Sequence, residues 1–266
     1  MTYEMAMMMN WLLVAAGLLA SDAFSSLFDD LFGGDDDDDV APDDVIVTDV
    51  DPDDGDDMLG LNTGLGAGDE TSEGTEFDDT ILGQAGNDSI SGGLGDDVLE
   101  GNTGDDSLVG GEGSDVLAGG GDTDTLFSGE GNDVLSSDRV DADADWIRGD
   151  AEQLDGGAGD DKLFFSGEDV ATGGEGADAF GLIDTGEGPG FITDFNPDDD
   201  NVTIYVDGLN EAETAPAISY ATDPVADTTT VSLDGDETLI LNGQFTAEDL
   251  GVTLADPDDI DFEALA

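Results

Sequence analysis

Residues 83–136 consist of six consecutive nine-residue blocks, which read GQAGNDSIS, GGLGDDVLE, GNTGDDSLV, GGEGSDVLA, GGGDTDTLF and SGEGNDVLS. Each block has aspartate at its sixth place and an aliphatic residue at its eighth. Glycine fills most of the first four places. A fixed period sustained over such a stretch is typical of a solenoid, in which each repeat stacks on its neighbours.

The two halves of a block favour different local structures. Glycine accepts positive φ without a Cβ clash, so the front half favours a turn. The back half, such as Asp97-Val98-Leu99, favours a strand that is too short to be stable alone. Its aliphatic residue would point inward while the two neighbours point outward. Stacked blocks would therefore share an inner stripe of Leu and Ile, and the stability would come from the array.

Stacking would also bring aspartate carboxylates and turn carbonyls together. This crowding of negative charge is costly unless a cation lies between the oxygens. Ca²⁺ and Mg²⁺ are the hard cations that take all-oxygen coordination, and a flexible cage of carboxylates and carbonyls favours Ca²⁺.

The blocks closely resemble the GGxGxDxUx nonapeptide of the RTX, or haemolysin-type, calcium-binding proteins. The resemblance implies an all-β fold, a calcium-stabilised parallel β-roll with two blocks per coil, short strands on two faces and several Ca²⁺ ions in the turns. Alternate blocks would then share an edge of the roll. One edge would carry Asp79, Asp97, Asp115 and Asp133, and the other Asp88, Asp106 and Asp124.

The resemblance also implies a set of calcium ligands, made of sixth-place carboxylates and of backbone carbonyls at the first and third places. The carboxylates belong to Asp79, Asp88, Asp97, Asp106, Asp115, Asp124, Asp133, Asp161 and Asp178. The carbonyls belong to Gly83, Ala85, Gly92, Leu94, Gly101, Thr103, Gly110, Glu112, Gly119 and Gly121.

Two turns lack the fourth-place glycine. Phe77 replaces it in the block that begins at Gly74, which weakens that turn as a cation site. Asp122 replaces it in the block that begins at Gly119. Because aspartate tolerates left-handed geometry better than most residues, the turn at Asp122 is expected to survive.

The composition excludes several classes of function. The 266 residues include 69 acidic and 3 basic ones, which gives a formal net charge of −66. Self-repulsion on this scale opposes a compact state unless cations are bound. Nucleic acid is not an expected partner because almost no basic residue could meet phosphates. The chain has no Cys and no His, which excludes disulfides, the usual zinc sites, histidine general bases and Ser-His-Asp triads.

Residues 1–34 are apolar and helical in pattern. The run from Met5 to Ala20 is short for a membrane span and lacks the basic residues of a signal peptide. From Phe24 to Phe32, apolar residues follow one helical stripe. Three interpretations stay open: a signal, a membrane anchor formed by residues 5–32, and a helix that caps the roll.

Three further regions are predicted. They are an acidic linker at 35–55, the β-roll at 56–181 with an irregular insert at 137–155, and a C-terminal β cap with a secretion signal at 182–266. After the insert, register is expected to return at Gly156, to slip by one residue through Phe165–Thr172, and to end with the block at Gly173.

The C-terminal region is predicted to close the roll. Strands at Thr229–Leu233 and Glu237–Leu241, joined by a turn at Asp234-Gly235, would form a small antiparallel cap. The last six residues, DFEALA, resemble the uncleaved signal of type I secretion, which makes the type I secretion machinery a candidate partner.

Three functions are compatible with these features. The first is a secreted, extracellular, non-catalytic calcium-binding roll that folds on binding Ca²⁺ after export. The second is a cell-surface or matrix adhesion protein, with an ice-binding roll less favoured because the seventh places are mixed. The third is a remnant of an RTX enzyme, which is disfavoured because the residues before the repeats leave no room for a catalytic domain.

Overall fold

The computed structural model describes residues 60–137, 151–186, 188–206, 209, 215–257 and 260. The predicted N-terminal helical segment at 1–34, the acidic linker at 35–55 and the secretion signal at the C-terminal end lie outside these residues. Within them, no helix has the length and hydrophobicity that a membrane crossing requires.

Short strands dominate the described residues. In the regular blocks most strands run from the seventh place of one block to the third place of the next, so the turn is confined to the fourth to sixth places. The strands of the roll are β1 Asn62–Gly64, β2 Thr71–Glu73, β3 Thr80–Ala85, β4 Ser89–Leu94, β5 Val98–Thr103, β6 Ser107–Glu112, β7 Val116–Gly121, β8 Thr125–Glu130, β9 Val134–Ser136, β10 Gln153–Ala158, β11 Lys162–Phe165, β12 Val170–Glu175, β13 Ala179–Asp184, β14 Gly190–Ile192 and β15 Asn201–Val206. The elements that follow are β16 Ile218–Asp223, β17 Thr228–Leu233, β18 Asp236–Asn242, α1 Ala247–Leu250 and β19 Thr253–Ala255.

Successive strands of the roll alternate between two parallel sheets. One sheet has the order β1-β3-β5-β7-β9-β11-β13-β15-β19, and the other runs from β2 through the even-numbered strands to β14. Each coil therefore contains one strand of each sheet, which confirms the predicted parallel β-roll. Within the regular blocks the register advances by eighteen residues, as in the pair Leu99↔Leu117. Farther along it advances by seventeen, as in Leu163↔Phe180, so the predicted one-residue slip is present.

The core is the stripe of eighth-place side chains enclosed between the two sheets. Along the first sheet, Leu99, Leu117 and Leu135 are at most 1% exposed. Leu108 and Leu126 are equally buried on the facing sheet. Full burial of one such side chain contributes roughly 1.5–3 kcal/mol, so a single block gains little and the stack supplies the stability.

The insert between the two halves of the roll is shorter than the predicted 137–155. The Ser137 N–H still donates to the carbonyl of Phe164, as the next position of the ladder would. On the other side, β10 already begins at Gln153, and Leu154 is buried in the core stripe. The glycines return only at Gly156, and for this reason the sequence pattern placed the restart three residues too late.

The roll also continues beyond the predicted end at residue 181. Strands β14 and β15 add to the two sheets in parallel register. Asp200 and Val202 keep the spacing of the sixth and eighth places although the glycines are gone. The aspartate and the aliphatic residue are thus sufficient to extend the ladder where the turn is longer.

An antiparallel extension follows, in which β18 pairs in parallel with β14 and antiparallel with β17. The predicted turn at Asp234-Gly235 is present, and both residues have positive φ. Helix α1 is capped by Thr246 and brings Leu250 onto the core. The Phe195 ring lies between Phe180 and Phe245, with its centroid 6.3 and 5.5 Å from theirs.

Replacing Leu117 with alanine should destabilise the roll by about 2–5 kcal/mol, because the side chain is fully buried between rigid neighbouring coils. The measurement is chemical denaturation in calcium-containing buffer. Val116→Ala is the matched control, since Val116 is adjacent, loses a similar apolar group and lies on the outer face. Equal losses for the two variants would contradict the assignment of the core stripe.

Candidate metal centre

The sixth-place aspartates form hydrogen-bonded ladders along the two edges of the roll. Their side chains are buried, and Oδ1 of each accepts the backbone N–H of the sixth-place residue in the preceding coil. On one edge the N–H of Asp79 donates to Asp97 at 2.7 Å, and that of Asp97 to Asp115 at 2.9 Å. On the other edge the N–H of Asp88 donates to Asp106 at 2.7 Å. Each carboxylate is thereby held in one orientation by the stacking of coils.

The second carboxylate oxygen, Oδ2, lacks a hydrogen-bond donor in most of these aspartates. In the described part of the chain this holds for Asp88, Asp97, Asp106, Asp115, Asp124, Asp133 and Asp161. None of these seven residues is more than 3% exposed. A buried polar atom without a partner costs about 1–3 kcal/mol, and more when it is charged. The repeated absence of a hydrogen-bond donor at Oδ2 therefore indicates that a cation could bind these oxygens.

The first-place glycine lets this oxygen pack closely against its backbone, because any side chain there would collide with the carboxylate. A Cβ added to Gly110 would lie 2.3 Å from Oδ2 of Asp115 and 2.7 Å from the carbonyl oxygen of Ser128, one coil further on. At Gly101 the corresponding distances are 2.2 Å to Asp106 and 2.7 Å to the carbonyl of Gly119. A carboxylate oxygen and a carbonyl oxygen thus face the same small space in repeated turns.

The turns themselves require the left-handed region at the second and fourth places. Gly111 and Gly113 have φ of 131° and 143°, and a Cβ on Gly113 would lie 1.9 Å from the carbonyl oxygen of Gly95. Asp122 adopts φ 73° at a fourth place, so the expectation that this turn survives is confirmed. Coils can stack this closely because glycine is present where one turn faces the next.

Three of the third-place carbonyls predicted as ligands, those of Thr103, Glu112 and Gly121, already accept one hydrogen bond each. The carbonyls of Thr103 and Glu112 accept the N–H of Gly86 and Gly95, both at 2.9 Å. A carbonyl oxygen has two lone pairs, so this bond orients the group and leaves a second lone pair.

A second ladder at the fifth place was not predicted. The N–H of Asp96 donates to Oδ1 of Asp78 at 2.9 Å, and that of Ser114 to Asp96 at 2.8 Å. These side chains are exposed, and the ladder runs in the opposite direction to the buried one. The available signal was the recurrence of Asn or Asp at the fifth place, as at Asn87 and Asp105.

Sequence reasoning also missed sixth-place residues where the glycines have decayed. Glu70, Glu152, Asp169 and Asp200 occupy this place in the ladders. In the cases of Asp169 and Asp200, the signal is an aliphatic or alanine residue two positions later.

Oδ2 is satisfied at several turns near the ends of the roll. Asp79 accepts the N–H of Thr75 at 2.5 Å, and Asp200 accepts that of Asn196 at 2.7 Å. Asp169 accepts the N–H of Ser166 at 2.7 Å. The unsatisfied oxygens are therefore concentrated in the regular blocks.

Burial raises the pKa of several ladder carboxyls in the regular blocks; the backbone N–H bond lowers it, and in most of them neighbouring carboxylates raise it further. The pKa is about 6 for Asp88 and Asp97, about 7 for Asp115 and Asp161, and about 8 for Asp124. At neutral pH, the charged form of these groups is thus costly in the absence of a cation.

The site fits a hard cation held mainly by oxygen atoms. No group of three or more acidic side chains in the described part of the chain is placed to hold a metal ion. Backbone carbonyls must therefore complete any coordination shell, as is common for Ca²⁺. The buried Oδ2, the facing carbonyl and the open space beside glycine supply the start of such a shell.

Parallel coils with these turns define a calcium-binding β-roll. The model of the RTX calcium-binding nonapeptide repeat, in four copies, matches residues 65–99 and 100–135. Residues 65–135 therefore carry the RTX calcium-binding repeat, as the nine-residue blocks predicted.

Comparison with other known proteins adds little. No curated protein matches the chain. Among solved structures it is similar to the AlgE6R3 subunit from the Azotobacter vinelandii mannuronan C5-epimerase, with 17% identity over 74% of this chain and 82% of that chain. The TM-score of 0.22 is too low for this likeness to support a conclusion about fold or activity.

The metal-free roll should become more stable as the pH is lowered from about 8 to about 5, because its raised carboxyl pKa values make the folded state bind more protons than the unfolded chain. This stabilisation is lost as the pH rises through about 6 to 8, where the pKa values of the folded state lie. Far-UV circular dichroism of metal-stripped protein measures it as a gain of β content on acidification.

The control is the same titration at saturating Ca²⁺, where protons compete with the ion and acidification should weaken binding. A β content of the metal-free protein that is constant or falls as the pH is lowered over this range would contradict the raised pKa values.

Proposed function

We propose that this protein is a secreted, non-catalytic calcium-binding β-roll whose folding is coupled to Ca²⁺ binding after export. One observation carries the proposal: in the described part of the chain, seven buried sixth-place aspartates have an Oδ2 without a hydrogen-bond partner. In a chain with a net charge of −66, cations at these oxygens would remove both the local and the global electrostatic cost. The binding energy of the metal then becomes folding energy.

The proposed ions lie in the turns, between one coil and the next. Oδ2 of the sixth-place aspartate supplies the charged ligand, and first- and third-place carbonyls supply neutral ones. Two examples are Asp106 with the carbonyl of Gly119, and Asp88 with that of Gly101, where both oxygens approach the same first-place glycine. Asp79 is the weakest of the predicted ligands, since its Oδ2 already accepts the N–H of Thr75.

Coupling to export follows from the expected affinity. Extracellular calcium modules bind Ca²⁺ at about 10⁻⁴–10⁻³ M, far above cytosolic levels. The sites would stay empty before export, self-repulsion would keep the chain open, and the sites would fill outside the cell. The C-terminal residues that resemble a type I secretion signal support the same route.

The absence of a catalytic role is part of the proposal. The buried carboxylates are fixed through Oδ1 by backbone N–H groups, which suits ligands better than acid/base groups. The sequence has no histidine or cysteine to act as a nucleophile or general base. The assignment of residues 1–34 as signal, anchor or cap, and of 35–55 as an acidic linker, also remains a proposal.

Adding Ca²⁺ to about 1 mM should raise the β content of chelated protein, with a midpoint near the range typical of extracellular modules. Asp115→Asn should raise the midpoint by about tenfold or more, since even groups outside the first coordination shell cost 10- to 100-fold. The substitution keeps Oδ1, which accepts the N–H of Asp97, and replaces the proposed ligand Oδ2 with an uncharged NH2 group that cannot bind a cation. Circular dichroism during a calcium titration measures both effects.

Asp96→Asn is the matched control, because Asp96 lies at the fifth place of the preceding coil, is exposed and also accepts a backbone N–H, that of Ser114, through Oδ1. It should shift the midpoint much less than Asp115→Asn. No response of the wild-type protein to Ca²⁺ would refute the proposed function, and equal shifts in the two variants would refute the assignment of the ligands.

Secretion is tested separately by fractionating a culture of the native host into medium, cell surface and cytosol. The protein should be found in the medium, and deletion of residues 261–266 should retain it in the cells. Recovery of the full-length protein from the cell surface would favour the adhesion hypothesis instead, and recovery from the cytosol would refute export.

A further inference from the structure

One first-place residue in the regular blocks is not glycine. Ser128 is fully buried, and its hydroxyl donates to the carbonyl oxygen of Gly156 at 2.6 Å. Gly156 is the first-place residue of the next coil on the same edge, twenty-eight residues further along the chain. The bond therefore joins two coils that are separated in sequence by the insert.

At the equivalent glycines, the same space is bordered by a carboxylate oxygen and a carbonyl oxygen. A Cβ at Gly110 would lie 2.3 Å from Oδ2 of Asp115, and one at Gly156 would lie 2.5 Å from Oδ2 of Asp161. In both cases the carbonyl of the following coil is 2.7 Å from that Cβ position. A real side chain at the first place must therefore fill the space that the two oxygens face.

We propose that Ser128 takes the place of one calcium ion, so that the turn between its coil and the coil of Gly156 is held by a hydroxyl and binds no Ca²⁺. This inference rests on the proposed function, since it assumes that the equivalent glycine turns bind ions. The serine Cβ occupies volume beside Asp133, and its hydroxyl satisfies the carbonyl that elsewhere faces the open space. Asp133, which the repeat pattern predicts as a calcium ligand, would then bind no ion.

Ser128 stands next to the insert, so the presence of serine there instead of glycine affects how the two halves of the roll join. The coil after Ser128 is interrupted by the insert, and β10 must rejoin the sheet in register with β8. A hydrogen bond to Gly156 fixes the first turn after the insert without an ion. The junction between the two halves of the roll would therefore close independently of the calcium concentration.

The alternative is that Asp133 still binds an ion, and the experiment must exclude it. Its Oδ1 accepts the N–H of Asp115 at 2.8 Å, and its carboxyl lies within hydrogen-bond reach of the Ser128 hydroxyl. An ion could be retained there if the Ser128 hydroxyl acted as an additional ligand. The two possibilities differ in the number of ions that a serine-to-glycine variant binds.

The experiment counts bound Ca²⁺ per full-length chain by equilibrium dialysis and metal analysis at saturation. Ser128→Gly opens the space and should bind one more ion than the wild type. Gly110→Ser, the reciprocal change on the same edge, should bind one fewer, since its hydroxyl can reach the carbonyl of Ser128. Ser114→Gly is the control for glycine content, because Ser114 is exposed at a fifth place, and its count should equal that of the wild type.

An unchanged or reduced count in Ser128→Gly, with calcium bound by the wild type, would overturn the proposal in favour of serine as a ligand. If this variant does not fold, as judged by circular dichroism in calcium, Gly110→Ser decides: a count equal to that of the wild type overturns the proposal. A wild-type protein that binds no calcium refutes the proposed function itself, which is a distinct result.

Discussion

The structure depends on a buried carboxylate that is shared between adjacent coils. One oxygen of each sixth-place aspartate accepts the backbone N–H of the same position in the preceding coil, as at Asp97 and Asp115. This bond sets the register and removes the carboxylate from water. It also leaves the other oxygen buried and unsatisfied, so the interaction that aligns the coils creates the demand for a cation.

Unsatisfied Oδ2 atoms, which need a cation, are most frequent where the repeats are most regular. In the central blocks glycine at the first place keeps space open beside the carboxylate, and Oδ2 has no donor. Near the ends, backbone N–H groups of longer or altered turns reach the same oxygen, as at Asp79 and Asp200. If the proposed calcium sites are correct, the centre of the roll needs ions to fold while several outer turns are satisfied by the chain itself.

Fold and site could be predicted from the sequence to different extents. The two periodic positions were sufficient for the roll, since Leu99 and Leu117 fill the core and Asp97 and Asp115 line an edge, as predicted. The limits of the roll were less predictable because the pattern was recognised through glycine. Coils that keep the aspartate and the aliphatic residue without glycines, such as the one at Asp200 and Val202, remain in the ladder.

The sequence by itself determined the architecture and the class of ion, because a fixed nine-residue period with one aspartate and one aliphatic residue admits few other arrangements. Only the tertiary structure decided how each carboxylate is used. Oδ1 of Asp115 accepts an N–H from a residue eighteen positions away, which stacking brings close. Whether Oδ2 meets a backbone N–H, as at Asp79 and Asp200, or has no donor depends on the shape that each turn adopts in the fold. The role of Ser128 is an example: in the sequence it is one departure from a consensus, and in the fold it binds the coil beyond the insert.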